Sequence, residues 1–158
     1  EGAGYGWPDR TANAALLRDE GSNPFVTNIE ADTLANENYR TTRWTGAHLQ
    51  MTLMTIQPGH DIGLEVHEDG DQFLRVEAGT AQVLMGPSEH DLPFDREVGD
   101  DWAILVPAGT WHNIINIGDV PLKVYAIYGP PEHPHGTVDR SKNGPALADE
   151  SSIMLVCA

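Results

Sequence analysis

Hydrophobic and polar residues alternate from Trp44 onward, in short segments that turn residues separate. Alternation with a period of two residues is typical of β-strands that are buried on one face. The pattern predicts strands at 48–57, 64–67, 72–77, 80–85, 102–106, 112–117 and 122–128, a polar loop over 86–98 and a weaker strand at 25–30. Short strands in such close succession favour an all-β domain, either an open sandwich or a closed barrel.

The two ends of the chain depart from this alternation. Residues 1–30 are rich in Gly, Asn and Asp, and they predict an N-terminal arm with a short helix at 11–19. We expect the barrel domain to span 31–129, with its core at 44–129. The irregular sequence from 130 to 158 predicts a tail that wraps around the barrel.

The charge balance argues against two classes of partner. Asp and Glu number 24 and Lys and Arg number 9, which gives a formal net charge of −15. Such a chain repels phosphate backbones and anionic lipid surfaces. No stretch approaches the roughly 20 apolar residues of a membrane span. We therefore expect neither nucleic acid nor a membrane as a partner.

Cys157 is the single cysteine of the chain. An intramolecular disulfide and a cysteine-based metal cluster are therefore both excluded. One unpaired thiol fits a reducing compartment, and the cytoplasm is the expected location.

Glu65 and His67 are the first candidates for a functional site. They lie two residues apart on a predicted strand, so their side chains point to the same face. A tight turn at 68–71 would place His67 opposite Gln72, with Cβ atoms about 5 Å apart. A carboxylate, an imidazole and an amide then meet at one point. Carboxylate and imidazole donors together suit zinc or a first-row divalent metal.

Two longer spacings resemble the paired sequence motifs of the cupin family. The first motif is matched by Pro58-Gly59, Glu65, His67, Gln72 and Gly79. The second is matched by Gly99, Pro107-Ala108-Gly109, His112 and Asn116. Both motifs occur in order, and the resemblance covers about residues 44–129.

The resemblance implies a small double-stranded β-helix, or jelly-roll barrel, with a divalent metal at its centre. The four ligand positions of the family hold Glu65, His67, Gln72 and His112 in this chain. The first position is usually His and the third usually Glu, so the carboxylate has moved along the motif. The identity of the metal stays open among zinc, manganese and iron. The resemblance also implies a homodimer, because unpaired edge strands need a cover.

Other polar residues are candidates for the wall of a ligand pocket. His48 and Gln50 share one face of a predicted strand, and His60 follows the next turn. His48 or His60 would have to act as the general base if Glu65 binds the metal, and the sequence identifies no catalytic residue. His133 and His135 lie in the segment after the barrel, for which a plain tail is the preferred interpretation.

Three functions stay open on the sequence alone. The first is a metal-dependent enzyme for isomerisation, epimerisation or lyase chemistry on a small oxygen-rich molecule. In its favour, segments such as VPAGTWHNIINIG resemble small bacterial single-domain cupins that are loosely grouped with mannose 6-phosphate isomerases. The second is a non-haem iron dioxygenase that uses a triad of two histidines and one carboxylate. The third is a non-catalytic barrel that binds or senses a metabolite.

Overall fold

The strands predicted from the alternating pattern form a barrel of two antiparallel sheets. The computed structural model describes residues 17–142. Its elements are one short helix, α1 (Ile29–Ala35), and the strands β1 (Arg40–Thr45), β2 (Gln50–Ile56), β3 (Asp71–Ala78), β4 (Ala81–Gly86), β5 (Phe94–Val98), β6 (Ala103–Val106), β7 (Trp111–Asn116), β8 (Leu122–Gly129) and β9 (Val138–Asp139). The all-β prediction is confirmed, and the closed barrel is the correct one of the two candidates.

The order of the strands gives a double-stranded β-helix. The larger sheet runs β6-β3-β8-β2-β1-β9 and the smaller runs β5-β4-β7. The segment between β2 and β3 extends the smaller sheet, because Asp61 pairs with Ile115 and Glu65 pairs with His112 in antiparallel bridges. The two sheets therefore face each other and enclose one interior.

Apolar side chains from both sheets fill the greater part of that interior. The most deeply buried of them are Leu74 and Val76 on β3, Val83 on β4, Ile114 on β7 and Val124 on β8. On β3, β4 and β7, such buried residues alternate with more exposed neighbours. Strand β8 is buried on both faces over most of its length. Burial of this apolar surface is the main term that stabilises the barrel.

Several local predictions were wrong, each for an identifiable reason. Residues 25–30 form no strand, because Asn28 caps α1 by accepting a hydrogen bond from the Ala31 N–H at 3.0 Å. The supposed loop 86–98 contains β5, whose polar side chains face outward. Strand β6 is not fully buried, since Leu105 is 66% exposed at the edge of the larger sheet. The helix predicted at 11–19 lies mainly outside the described residues.

Arg43 on β1 connects the segment before the barrel to the larger sheet. Its Nε donates to Asp32 Oδ2 at 3.0 Å, and its Nη1 donates to the carbonyl of Arg18 at 2.8 Å. The guanidinium also lies over the ring of Phe25, with Cζ 4.7 Å from the ring centroid. Both side chains of the Arg43–Asp32 pair are almost buried, so neither charge is well solvated on its own.

We predict that Asp32→Ala lowers the free energy of unfolding by roughly 3 kcal/mol, because it leaves the buried Arg43 guanidinium with only the more distant carboxylate of Glu20, whose Oε1 lies 3.8 Å from Nη1. Urea denaturation measures the change. The matched control is Arg18→Ala, whose side chain is 80% exposed in its pair with Glu20 and should leave the denaturation midpoint nearly unchanged. Equal losses in the two variants would contradict the role given to the buried pair.

Candidate metal centre

Glu65 and His112 are brought together by paired backbone hydrogen bonds. The N–H of Glu65 donates to the carbonyl of His112 at 3.0 Å, and the N–H of His112 donates back to the carbonyl of Glu65 at 2.9 Å. Residues that exchange both bonds lie directly opposite each other, with their side chains on one face. The pairing therefore places a carboxylate beside an imidazole inside the barrel.

His67 joins this pair through the turn that precedes β7. Gly109 donates its N–H to the carbonyl of His67 at 2.8 Å, and its φ of 76° is in the left-handed region that favours glycine. The segment from 64 to 67 makes a single bridge at Glu65 instead of the predicted strand. His67 therefore approaches the site from a bend and not from a regular hairpin.

The three side chains are spaced as ligands of one ion would be. Glu65 Oε1 lies 3.3 Å from His67 Nε2 and 3.4 Å from His112 Nε2. Candidate ligand atoms of Glu65, His67 and His112 all lie within 4.8 Å of one another. Metal bonds of about 2.0–2.1 Å in a tetrahedron separate neighbouring ligand atoms by about 3.3 Å. The observed spacing fits such an arrangement.

The hydrogen bonds of the two imidazoles also fit a metal. His112 Nδ1 lies 2.9 Å from the carbonyl oxygen of Thr110, and His67 Nδ1 lies 3.3 Å from Glu132 Oε2. The Nε2 atoms of both rings are buried and have no hydrogen-bond partner among residues 17–142. A carbonyl or carboxylate on one ring nitrogen fixes the ring and leaves the other nitrogen free to bind a metal.

The carboxyl group of Glu65 is ionised over the whole physiological range. Burial by itself would raise its pKa, but the contacts with His112 and His67 outweigh burial and lower the pKa to about 2. Contact with Glu65 in turn raises the pKa of His67. An anionic oxygen is therefore present beside the two imidazoles without the loss of a proton from Glu65.

Gln72 lies on the inner face of β3, between Val106 of β6 and Tyr128 of β8. Its side chain is almost fully buried, and its Oε1 has no hydrogen-bond partner in the part of the chain that the structure describes. A buried amide oxygen of this kind is normally hydrogen-bonded or bound to a cation. The assignment of Gln72 as a fourth ligand stays a prediction that this unpartnered oxygen supports.

The three residues predicted for a pocket wall differ in their surroundings. His48 and His60 are exposed to solvent. Gln50 is fully buried and makes four hydrogen bonds. Its Oε1 accepts from the N–H groups of Glu132 and His133 at 3.0 Å each, and its Nε2 donates to His133 O at 2.7 Å and Thr45 Oγ1 at 2.9 Å. Gln50 therefore holds the segment after β8 against the barrel.

That segment contributes Glu132, which the sequence interpretation passed over, and His133, for which it preferred a plain tail. Glu132 contacts His67, as described above, and the ring of His133 packs edge-on against Tyr128 with centroids 5.3 Å apart. Tyr128 in turn lies edge-on to His67, with centroids 5.7 Å apart. The interpretation of His133 as part of a plain tail is wrong, since the bonds to Gln50 turn it inward. His135 stays exposed and lies near Gly21 and Asp19.

Comparison with known proteins identifies relatives of the whole barrel. The sequence model of the protein family described as the cupin domain matches residues 52–128. The protein YrkC of Bacillus subtilis (strain 168) is 54% identical over 135 residues, which cover 85% of this chain and 73% of that protein. The protein L612 of Acanthamoeba polyphaga mimivirus is 40% identical over 116 residues, covering 73% of this chain and 71% of the relative.

A solved structure shows the same architecture. The crystal structure of BH2720 from Bacillus halodurans superposes with a TM-score of 0.80 and 57% sequence identity. The match covers 80% of this chain and 96% of that one. Within residues 17–142, no helix is long and apolar enough to cross a membrane.

We predict that Gln50→Ala frees the segment at 132–133, because it removes every side-chain hydrogen bond that holds this backbone to β2. Each lost bond costs about 1 kcal/mol net, so the free energy of unfolding should fall by roughly 3 kcal/mol. Amide hydrogen exchange at Glu132 and His133 should accelerate at least tenfold. Gln57→Ala is the control, because it removes an exposed amide directly after the end of β2. It should change neither the free energy of unfolding nor the exchange rates. Unchanged amide exchange at Glu132 and His133 in Gln50→Ala would show that Gln50 does not hold this segment.

Proposed function

The chain belongs to the cupin family, and we propose that it is a metal-binding cupin that acts on a small oxygen-rich metabolite by non-redox chemistry. One observation carries the proposal: the unpartnered Nε2 atoms of His67 and His112 converge beside the ionised carboxylate of Glu65. Two imidazoles and one carboxylate suit zinc and first-row divalent ions such as manganese and iron. The reaction classes that follow are isomerisation, epimerisation and lyase chemistry.

Each residue of the site has a separate task in this proposal. Glu65, His67 and His112 would hold the ion, with Gln72 as a neutral fourth ligand. The Thr110 carbonyl and the Glu132 carboxylate fix the two imidazole rings from behind. A divalent ion keeps a net charge of about +1 after one carboxylate binds, so it can hold and polarise adjacent oxygen atoms of a small molecule.

A second candidate function has support from the ligand types themselves. Two histidines and one carboxylate are the usual set of non-haem iron oxygenases, and a neutral Gln72 leaves the triad intact. A third candidate, a non-catalytic binding barrel, has support from the exposure to solvent of His48 and His60, the two residues that the sequence offered as a general base. Iron content with substrate-dependent oxygen uptake would favour the oxygenase, and zinc or manganese without uptake the non-redox enzyme.

The overall charge completes the proposal for ligand and location. A net charge of −15 favours a small molecule over nucleic acid as the partner of the barrel. We place the protein in the cytoplasm, on the basis of its single cysteine.

We propose further that two copies associate through the outer face of the larger sheet. An apolar groove crosses this face, and its walls include Leu49, Phe73, Leu105 and Ile127. Leu105 and Leu49 are 66% and 47% exposed, and no strand within residues 17–142 pairs with the outer edge of β6. Exposed apolar surface beside an open edge is the kind of surface that a second subunit covers.

The metal centre predicts a ranking among variants. His67→Ala and His112→Ala should each reduce metal content at least tenfold, because each removes an imidazole ligand from an interior whose other groups cannot replace it. Glu65→Gln should also weaken binding strongly, since it removes the anionic ligand. Gln72→Ala should weaken it least, because water can replace a neutral amide, and Gln72→Glu should strengthen it. Elemental analysis of untagged protein after equilibration with zinc measures all five.

His48→Ala and His60→Ala are the matched controls for the histidine variants, since both residues are exposed. Both controls should retain the metal content of the unmodified chain. Circular dichroism of each variant checks that the barrel has folded. Full metal occupancy in folded His67→Ala and His112→Ala would contradict the centre proposed above.

The dimer predicts an effect of charge in the groove. Leu105→Arg should convert the dimer to a monomer, because an arginine at the centre of an apolar contact cannot be desolvated without a partner. Multi-angle light scattering measures the mass. Val120→Arg is the control, since Val120 is 49% exposed in the turn before β8 and lies away from the groove. A monomeric unmodified chain, or a dimeric Leu105→Arg, would contradict the proposal.

A further inference from the structure

Two more buried nitrogens in the described part of the chain lack hydrogen-bond partners, beyond those of the metal group. They are Nε of Arg40 on β1 and Nε2 of His133 in the segment after β8. A buried polar atom without a partner costs more than an ordinary hydrogen bond gains, so such atoms call for an explanation. Their position relative to the metal group supplies one.

Arg40 points into the barrel. It pairs across the strands with Met54 of β2, a fully buried residue of the apolar core, and cross-strand partners share a face. One edge of its guanidinium is occupied, because Nη1 donates to Asp139 Oδ2 at 3.1 Å. The side chain also lies over the ring of Tyr39, with Cζ 5.1 Å from the centroid. The Nε–H therefore remains as a charged donor on the inner side.

His133 faces the same interior from the segment that follows β8. Its backbone is held by Gln50, and its ring packs on Tyr128, whose other side meets His67. Tyr128, Gln50 and Gln72 are aligned across β8, β2 and β3, so their side chains share the inner face. His133 thus lies one aromatic ring away from the metal group.

Arg40 and His133 face the same interior, beside Met54 and Tyr128 respectively. Burial lowers the pKa of His133 to about 4, and the positive charge of Arg40 contributes to this lowering. Burial raises the pKa of the Tyr128 hydroxyl, and the Arg40 charge opposes that effect. At neutral pH the pair therefore presents one permanent positive charge and one neutral imidazole.

A ligand that satisfies the Arg40 Nε–H must bring a hydrogen-bond acceptor, because that group can only donate, and the same acceptor group can bind His133 in the tautomer that carries the proton on Nε2. A hydrogen bond from a charged donor to an anionic oxygen is about twice as strong as one between neutral groups. Because Asp139 already pairs with Arg40 and His133 is neutral, the site suits the single charge of a carboxylate better than the double charge of a phosphate monoester.

We propose that Arg40 and His133 bind the carboxylate of a small hydroxy- or oxo-carboxylate whose second oxygen faces the group Glu65, His67 and His112. This inference rests on the proposed metal function and names the class of its substrate. The segment 130–133 is then part of the binding site, although it lies beyond the residues that match the cupin domain.

Glycolate and ethylene glycol are suitable probes, because both have two carbons and only glycolate has a carboxylate. Isothermal titration calorimetry on the zinc-loaded full chain should show glycolate binding at least tenfold more tightly than ethylene glycol. Arg40→Gln and His133→Phe should each weaken glycolate binding about tenfold and leave ethylene glycol unchanged. His133→Phe keeps a ring against Tyr128 and removes only the nitrogens.

Asp139→Asn is the matched control for Arg40. It removes the carboxylate that competes for the same guanidinium, so glycolate should bind at least as tightly as to the unmodified chain. A loss as large as that in Arg40→Gln would show that the pairing of β1 with β9 is responsible, and would overturn the inference.

Elemental analysis of every variant separates the two proposals. If the unmodified chain takes up no zinc, manganese or iron, the proposed metal function fails. If the metal is bound but glycolate shows no preference over ethylene glycol, or Arg40→Gln leaves the preference intact, the carboxylate site is wrong and the metal centre stands.

Discussion

The reciprocal backbone pair between Glu65 and His112 is the constraint on which the candidate site depends. It joins the segment after β2 to the outer edge of β7, and it adds that segment to the smaller sheet. The same two hydrogen bonds place an anionic and an imidazole ligand side by side within the interior. Scaffold and site therefore share one interaction, and loss of this backbone pair would separate the two ligands.

The polar contacts of Gln50 determine where the segment after β8 lies relative to the candidate metal centre. Gln50 uses both atoms of its amide to hold the segment after β8, and this brings Glu132 to His67 and His133 to Tyr128. The buried amide is favourable because each of its groups has a partner. The apolar core supplies most of the stability of the barrel, whereas these polar contacts hold the segment after β8 beside the candidate metal centre.

The sequence was informative where function follows local spacing. Alternation located most strands, and the interval between Glu65 and His67 indicated a shared face, while His112 entered through the resemblance of the second motif. The sequence pattern did not predict strands β1 and β5, because their composition is polar. Thr41 and Thr42 of β1 are nevertheless buried between neighbouring strands. The sequence did not predict that Arg40 and His133 face inward. Their direction depends on Met54 and Gln50, partners far along the chain that no local pattern reveals.

The bond between Gln50 and the carbonyl of His133 spans 83 residues of chain, and the pairing of Arg40 with Asp139 spans 99. Closing loops of this length costs conformational entropy before any contact compensates for it. Folds dominated by such distant contacts form slowly. The surroundings of the candidate metal centre are therefore completed only after the chain has been synthesised as far as Asp139 and has folded, so a shorter or partly folded chain exposes His67 and His112 without the groups that enclose them.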